Sequence, residues 1–142
     1  MIILNFTTEK VFTNITRDVQ DKIPDGFNGV VHVFSQHTTA SIRILENEIL
    51  LHSDYLKFLE DTFPEKGHFR HDYVGIRDVP PDERINGYSH LRSLLFNTSE
   101  MIPVLNGKML LGQWETLFLV EMDGVRSRSV VVSFLDEASE KH

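Results

Sequence analysis

The chain has 142 residues, 41% of them hydrophobic, with 21 acidic against 14 basic side chains and a net charge of −7. That is enough for one domain with an ordinary core, and the acidity argues against general nucleic-acid binding, which needs Lys and Arg against phosphates. There is no cysteine, which excludes disulfides, thiol nucleophiles and thiolate metal ligands.

No stretch approaches the roughly 20 apolar residues of a membrane span, so no membrane is expected as a partner. The start, Met1-Ile2-Ile3-Leu4-Asn5-Phe6, lacks the basic region and cleavage site of a signal peptide and reads as a strand. A cytoplasmic location is the matching expectation.

In chain order, residues 2–8 predict a strand. Thr16 is a candidate N-cap for a short helix through Ile23, stopped by Pro24-Asp25-Gly26. Residues 29–35 form a β-branched apolar run suited to a buried strand. Residues 37–45 alternate: Ala40, Ile42 and Ile44 share one face, while His37, Thr39, Ser41 and Arg43 share the other. The polarity flips relative to Val31 and Val33, which predicts a turn or bulge at Ser35–Gln36.

Residues 48–62 predict a helix with Ile49, Leu51, Leu56 and Leu59 among its apolar positions. Residues 64–85 carry Pro64, Gly67, Gly75, Pro80 and Pro81 and predict a long loop, of a kind more often functional than idle. Asn86 is the expected cap of a helix over 87–96, bringing Asn86 and His90 to one face. Asn106-Gly107 between residues 101–105 and 108–111 is a strong hairpin signal. Asp123-Gly124 marks a second turn, between residues 113–122 and 129–135. The class expected is α+β, with a largely antiparallel sheet, a few short helices and one domain over residues 1–142.

Chemistry concentrates in a few places. His52, His71 and His90 sit among Asp54, Asp72 and Asn86, suiting a divalent-metal or acid/base site once the fold assembles them. His52 and Asp54 diverge by about 200° on a helix, so only His52 is expected to face inward. In His37-Thr38-Thr39-Ala40-Ser41, Thr39 and Ser41 could donate to phosphate oxygens and His37 could be acid, base or ligand, against the plain alternative of a solvated sheet face. Arg126 and Arg128 would project together as two planar forks suited to phosphate, or form an ordinary basic surface pair. Gly112-Gln113-Trp114-Glu115 suggests Trp114 walling a pocket, or a core tryptophan beside a bulge.

Together, His37-Thr38-Thr39-Ala40-Ser41, His71-Asp72, His90-Leu91, Asn106-Gly107, Leu111-Gly112-Gln113-Trp114-Glu115 and Asp123-Gly124-Val125-Arg126 resemble the YjbQ family, in order, from about residue 4 to 135. The resemblance implies an α+β fold, a homotrimer with sites near subunit boundaries, and a secondary thiamine-phosphate synthase activity. Carried over by position, His37, His52, His71, His90, Asp54, Asp72 and Arg126 match the family pattern. Gly112-Gln113-Trp114-Glu115 departs from the family's usual Gly-Thr-Trp-Gln, adding a carboxylate at Glu115.

The expectation formed from residues and resemblance is a metal-dependent transferase. It would join a pyrimidine diphosphate to a thiazole phosphate and release pyrophosphate. Two or three of His52, His71 and His90 would hold a divalent ion, which nitrogen donors suit to zinc, with magnesium as the alternative. Thr39, Ser41, Arg126 and Arg128 would bind phosphate, and His37, Trp114 and Glu115 would form the catalytic set. A metal-assisted phosphoester hydrolase and a non-catalytic module binding a small phosphorylated metabolite are the alternatives.

Overall fold

In a computed structural model, which describes residues 1–137, eight strands build two antiparallel sheets. The larger has the order β1 (Ile2–Thr8), β8 (Arg126–Asp136), β3 (Gly29–Ser35), β5 (Ser99–Leu105) and β6 (Lys108–Met109). The smaller has the order β2 (Phe12–Asn14), β7 (Thr116–Glu121) and β4 (Ala40–Leu45). Three helices complete the fold: α1 (Thr16–Gln20), α2 (Ile49–Thr62) and α3 (Gly87–Ser93). The expected α+β, largely antiparallel class is what the chain adopts.

The alternation along the strands explains the layers. Val31 and Val33 of β3, Ile102 and Val104 of β5, and Val130 and Val132 of β8 face Ala40 and Ile42 of β4 and Leu117 and Leu119 of β7. This is the main core, packed between the sheets. The far face of the small sheet is covered in turn: Phe12, Phe118, Val120 and Met122 pack with Leu59 of α2. The small sheet is therefore buried on both faces, and so is Ser41, whose register partner is Val120. Ser41 faces the helix layer, not a ligand, which corrects its phosphate-binding assignment.

Local chemistry sets the connections. Ser35 Oγ donates to the Ala40 carbonyl at 2.6 Å, closing the turn expected at Ser35–Gln36. Asn106 and Gly107, with φ of 48° and 77°, supply the two positive-φ residues of the expected tight hairpin turn. Thr16 does not cap α1. Ile15 holds that position, buried, and the Thr16 hydroxyl accepts from the Leu117 amide at 2.9 Å. Three-residue β2 escaped the sequence reading because it is too short to show a period.

The outer face of the large sheet stays open, with Ile3, Phe34, Met101, Leu105 and Leu135 exposed. Among the described residues no helix is long and apolar enough to cross a membrane.

Candidate functional site

At one end of the sandwich, β3 stops, β4 and β8 start, and β7 ends at Glu121. Over this end lie the loop from residue 63 to 86, with short 3₁₀ turns at Arg70–Asp72 and Val74–Ile76, and the start of α3. Between them is a polar cleft of about 430 Å³. Gln36, His37, Thr38 and Thr39 line it from the β3–β4 connection, His71, Arg77, Glu83 and Asn86 from the long loop, His90 from α3, and Arg126 and Arg128 from β8.

His71 and His90 meet in the cleft, their ring centroids 4.4 Å apart at an interplanar angle of 61°. A backbone device brings them together. Asp72 Oδ1 accepts from the Gly87 amide at 2.8 Å, which caps α3 and pins the 70–72 turn against it. Gly87 permits the approach: a Cβ there would lie 2.6 Å from Phe69 Cβ and 2.7 Å from Asp72 Oδ1. Burial first, and His71 second, hold the His90 imidazole below its ordinary value, with Asp123 opposing and Arg77 adding. These surroundings favour the neutral ring.

Asn86 caps nothing with its side chain. Its Nδ2 donates to Asp123 Oδ2 at 2.8 Å, and the same oxygen lies 2.7 Å from Arg126 Nη2. Arg84 Nη1 completes the cluster by donating to the Asp123 carbonyl at 2.5 Å. Two buried atoms here, Asn86 Oδ1 and Arg126 Nε, have no hydrogen-bond partner among the described residues.

Arg128 is placed differently from its neighbour. It is 4% exposed and forks onto Glu121, with Nε 2.7 Å from Oε1 and Nη2 on Oε2. Nη2 also donates to Thr39 Oγ1 at 2.9 Å, and Thr8 Oγ1 donates to Glu121 Oε1 at 2.5 Å. Arg128 and Thr39 reach the cleft, but as members of a buried ion-pair network. The sequence carries a signal for these pairs that the reading missed. Glu121 and Asp123 precede the turn at the spacing with which Arg126 and Arg128 follow it, so each acid faces one base. Arg77 and Arg84 were missed as well, since nothing marks one loop arginine over another before the loop folds.

His52 is elsewhere. Its ring lies 4.5 Å from that of Phe12 and 5.3 Å from that of Phe118, and Nε2 meets the Glu46 carbonyl at 2.9 Å in a hollow beside α2. Asp54 points to solvent. The three-histidine metal site is thereby corrected. The cleft supplies two imidazoles, Asp72 is engaged by Gly87, and among the described residues no group of three or more His, Cys, Asp or Glu is placed to hold an ion. These residues do not fit the expected zinc site.

Trp114 and Glu115 are also corrected. Trp114 is 68% exposed, and Glu115 Oε1 accepts from the Gly112 amide at 2.8 Å, stapling a turn. Their loop precedes β7, whose far end enters the site, so about 17–20 Å of strand lies between.

A family model described as UPF0047 protein YjbQ-like matches residues 2–137. The chain belongs to the YjbQ family. A UPF0047 protein of Methanothermobacter thermautotrophicus is 41% identical over 75% of this chain and 68% of its own length. Another, from Archaeoglobus fulgidus, is 32% identical over 83% and 89%. Among solved structures, a hypothetical protein of Aeropyrum pernix superposes with a TM-score of 0.80 at 29% identity, covering 96% of this chain and all of its own. An uncharacterized YjbQ/UPF0047 family protein of Clostridium acetobutylicum gives 0.79 at 28%, covering 95% and 100%.

These findings correct the expected activity. The YjbQ relatives are named only as UPF0047 or hypothetical proteins, none as a thiamine-phosphate synthase, and the donor set fails the metal test.

Proposed function

We propose that the cleft binds a small anion of the phosphate-monoester class. One observation carries the reading: Arg77 and Arg126 converge there with His37, His71 and His90, in a chain whose net charge is −7. Carboxylates stand nearby as well, with Glu83 lining the cleft and Asp123 and Glu121 behind it, so the cleft is of mixed charge and the anion contacts fall to the guanidinium faces of Arg77 and Arg126. Asp123 serves both Arg84 and Arg126, Glu121 is matched by Arg128, and Arg77 donates to a carbonyl, that of His71, at 2.8 Å.

Inorganic phosphate and pyrophosphate should therefore raise the melting temperature by linkage and bind measurably in calorimetry. Arg126→Ala should weaken that binding roughly tenfold to hundredfold, since a hydrogen bond to a charged group contributes about 1.5–3 kcal/mol. Arg126→Lys should recover only part, because a point charge lacks the planar fork. Equal phosphate affinity in all three proteins would place Arg126 outside the site.

A homotrimer is the assembly we propose for the protein, on the family resemblance and on the open apolar face of the large sheet, which a soluble monomer would seldom leave uncovered. Light scattering at micromolar concentration should give three times the chain mass of 16.4 kDa, and a value at the chain mass would refute it.

A further inference from the structure

β3 ends at Ser35, just before its ladder on β8 would reach Ser129. The Gln36 amide still donates to the Ser129 carbonyl, at 3.4 Å. The Ser129 amide, on the same side of the strand, donates instead to a side chain: His37 Nε2 lies 2.8 Å away. His37 thus fills a place that strand backbone would otherwise take.

That contact fixes the proton. A backbone N–H only donates, so Nε2 must present its lone pair, and the neutral ring carries its hydrogen on Nδ1. Nδ1 has no protein partner among the described residues, is not among the buried unpaired atoms, and belongs to a residue lining the cleft. Gaining a second proton would have to happen at Nε2, which would break the Ser129 bond and strand a β8 amide. The surroundings act in the same direction. Burial first and the Arg128 guanidinium second hold the ring below its ordinary value, Glu121 opposing and Arg126 adding. The charged groups acting on it are Arg126 and Arg128 from β8 and Glu121 from β7, with Arg77, Glu83, His71 and His90 also lining the cleft.

We infer that His37 is a fixed hydrogen-bond donor to the bound anion: the Ser129 amide holds it as the Nδ1–H tautomer, and that N–H meets an acceptor oxygen of the ligand. The inference rests on the anion-binding reading of the cleft. It takes His37 out of proton transfer and gives it a positioning role. A neutral donor adds direction to a site whose arginines supply charge, and it suits a ligand oxygen that carries no proton at neutral pH.

Long-range proton–nitrogen NMR of the imidazoles, with the His37 signal identified by its loss in His37→Asn, reads the tautomer directly in the unmodified protein. The expected result is a neutral Nδ1–H ring near pH 7, unchanged in tautomer when inorganic phosphate saturates the site. In calorimetry with phosphate, His37→Ala should bind about tenfold more weakly or worse, one charge-assisted hydrogen bond. His37→Asn, whose amide N–H sits near the Nδ1 position, should recover part of the loss. An Nε2–H ring, an imidazolium near pH 7, or unchanged phosphate affinity in His37→Ala would overturn the role while the cleft reading stood. No phosphate binding by the unmodified protein would take both down, even with the tautomer as expected.

Discussion

Arg128→Ala is expected to destabilise the whole fold by about 3–5 kcal/mol, the usual consequence of leaving one member of a buried ion pair without its partner. Glu121 is 2% exposed and Arg128 4%, so each charge is largely withdrawn from water and has the other as its partner. The guanidinium also holds Thr39, just before β4, so the deletion unties β8 from β7 and from the entry to β4, and leaves Glu121 with the Thr8 hydroxyl of β1. Replacing both ions by apolar residues, Arg128→Met with Glu121→Leu, should cost less than the single change, because no bare charge remains. Urea unfolding of the three proteins measures this, and an unchanged midpoint in Arg128→Ala would show the pair to be solvated in solution.

The same pair sets an acid limit. Burial on its own raises the Glu121 carboxyl, but the bonds from Arg128, Thr8 and the Asp123 amide outweigh it and hold the group below the usual carboxylate range. A carboxyl depressed on folding contributes stability that is present above its unfolded value, about 4.3, and is lost as pH falls through the folded value. Acid unfolding of the native protein should therefore be shallower in the Met/Leu double variant.

The strands were legible because their signals are local. The alternation of Ala40, Ile42 and Ile44, the Asn106-Gly107 turn and the β-branched run at 29–35 each need only a few neighbouring residues. What the opposite face of a strand meets is a long-range fact. Ser41 reads as a solvated hydroxyl until α2 is known to cover that side of the small sheet. The histidines divide the same way. His71 and His90 are joined by the Asp72–Gly87 bond across a 15-residue separation, whereas His52 faces the far side of the sheet. Sequence order treats the three alike. The arginine pair shows the reverse case: Glu121 and Asp123 are counter-charges close in sequence, but strand and turn patterning masks their pairing with Arg128 and Arg126.

Gly29→Ala should lower stability without touching the cleft, and this separates scaffold from site. Gly29 has φ of +152°, and a Cβ there would stand 2.0 Å from the Leu135 carbonyl oxygen and 3.0 Å from the Glu137 amide. Both neighbours are backbone of β8 and its continuation, so no rotamer change relieves the overlap. Backbone strain and overpacking each cost about 1–3 kcal/mol, together a large share of a typical domain's stability of about 5–15 kcal/mol. A fall in melting temperature of roughly 6–20 °C follows for a chain of this size. Yet Gly29 begins β3 and His37 lies beyond its other end, about 25 Å of strand away. The rise in melting temperature caused by phosphate should therefore survive in Gly29→Ala, measured from its own lower baseline. In Arg128→Ala, by contrast, both the baseline and the phosphate increment should fall, because Arg128 anchors Thr39 in the cleft wall while supporting the core. A Gly29→Ala protein that melts like the wild type would refute the close approach of β3 to β8. One that melts lower and also loses its response to phosphate would mean that the cleft depends on the whole sandwich, with no local assembly at one end.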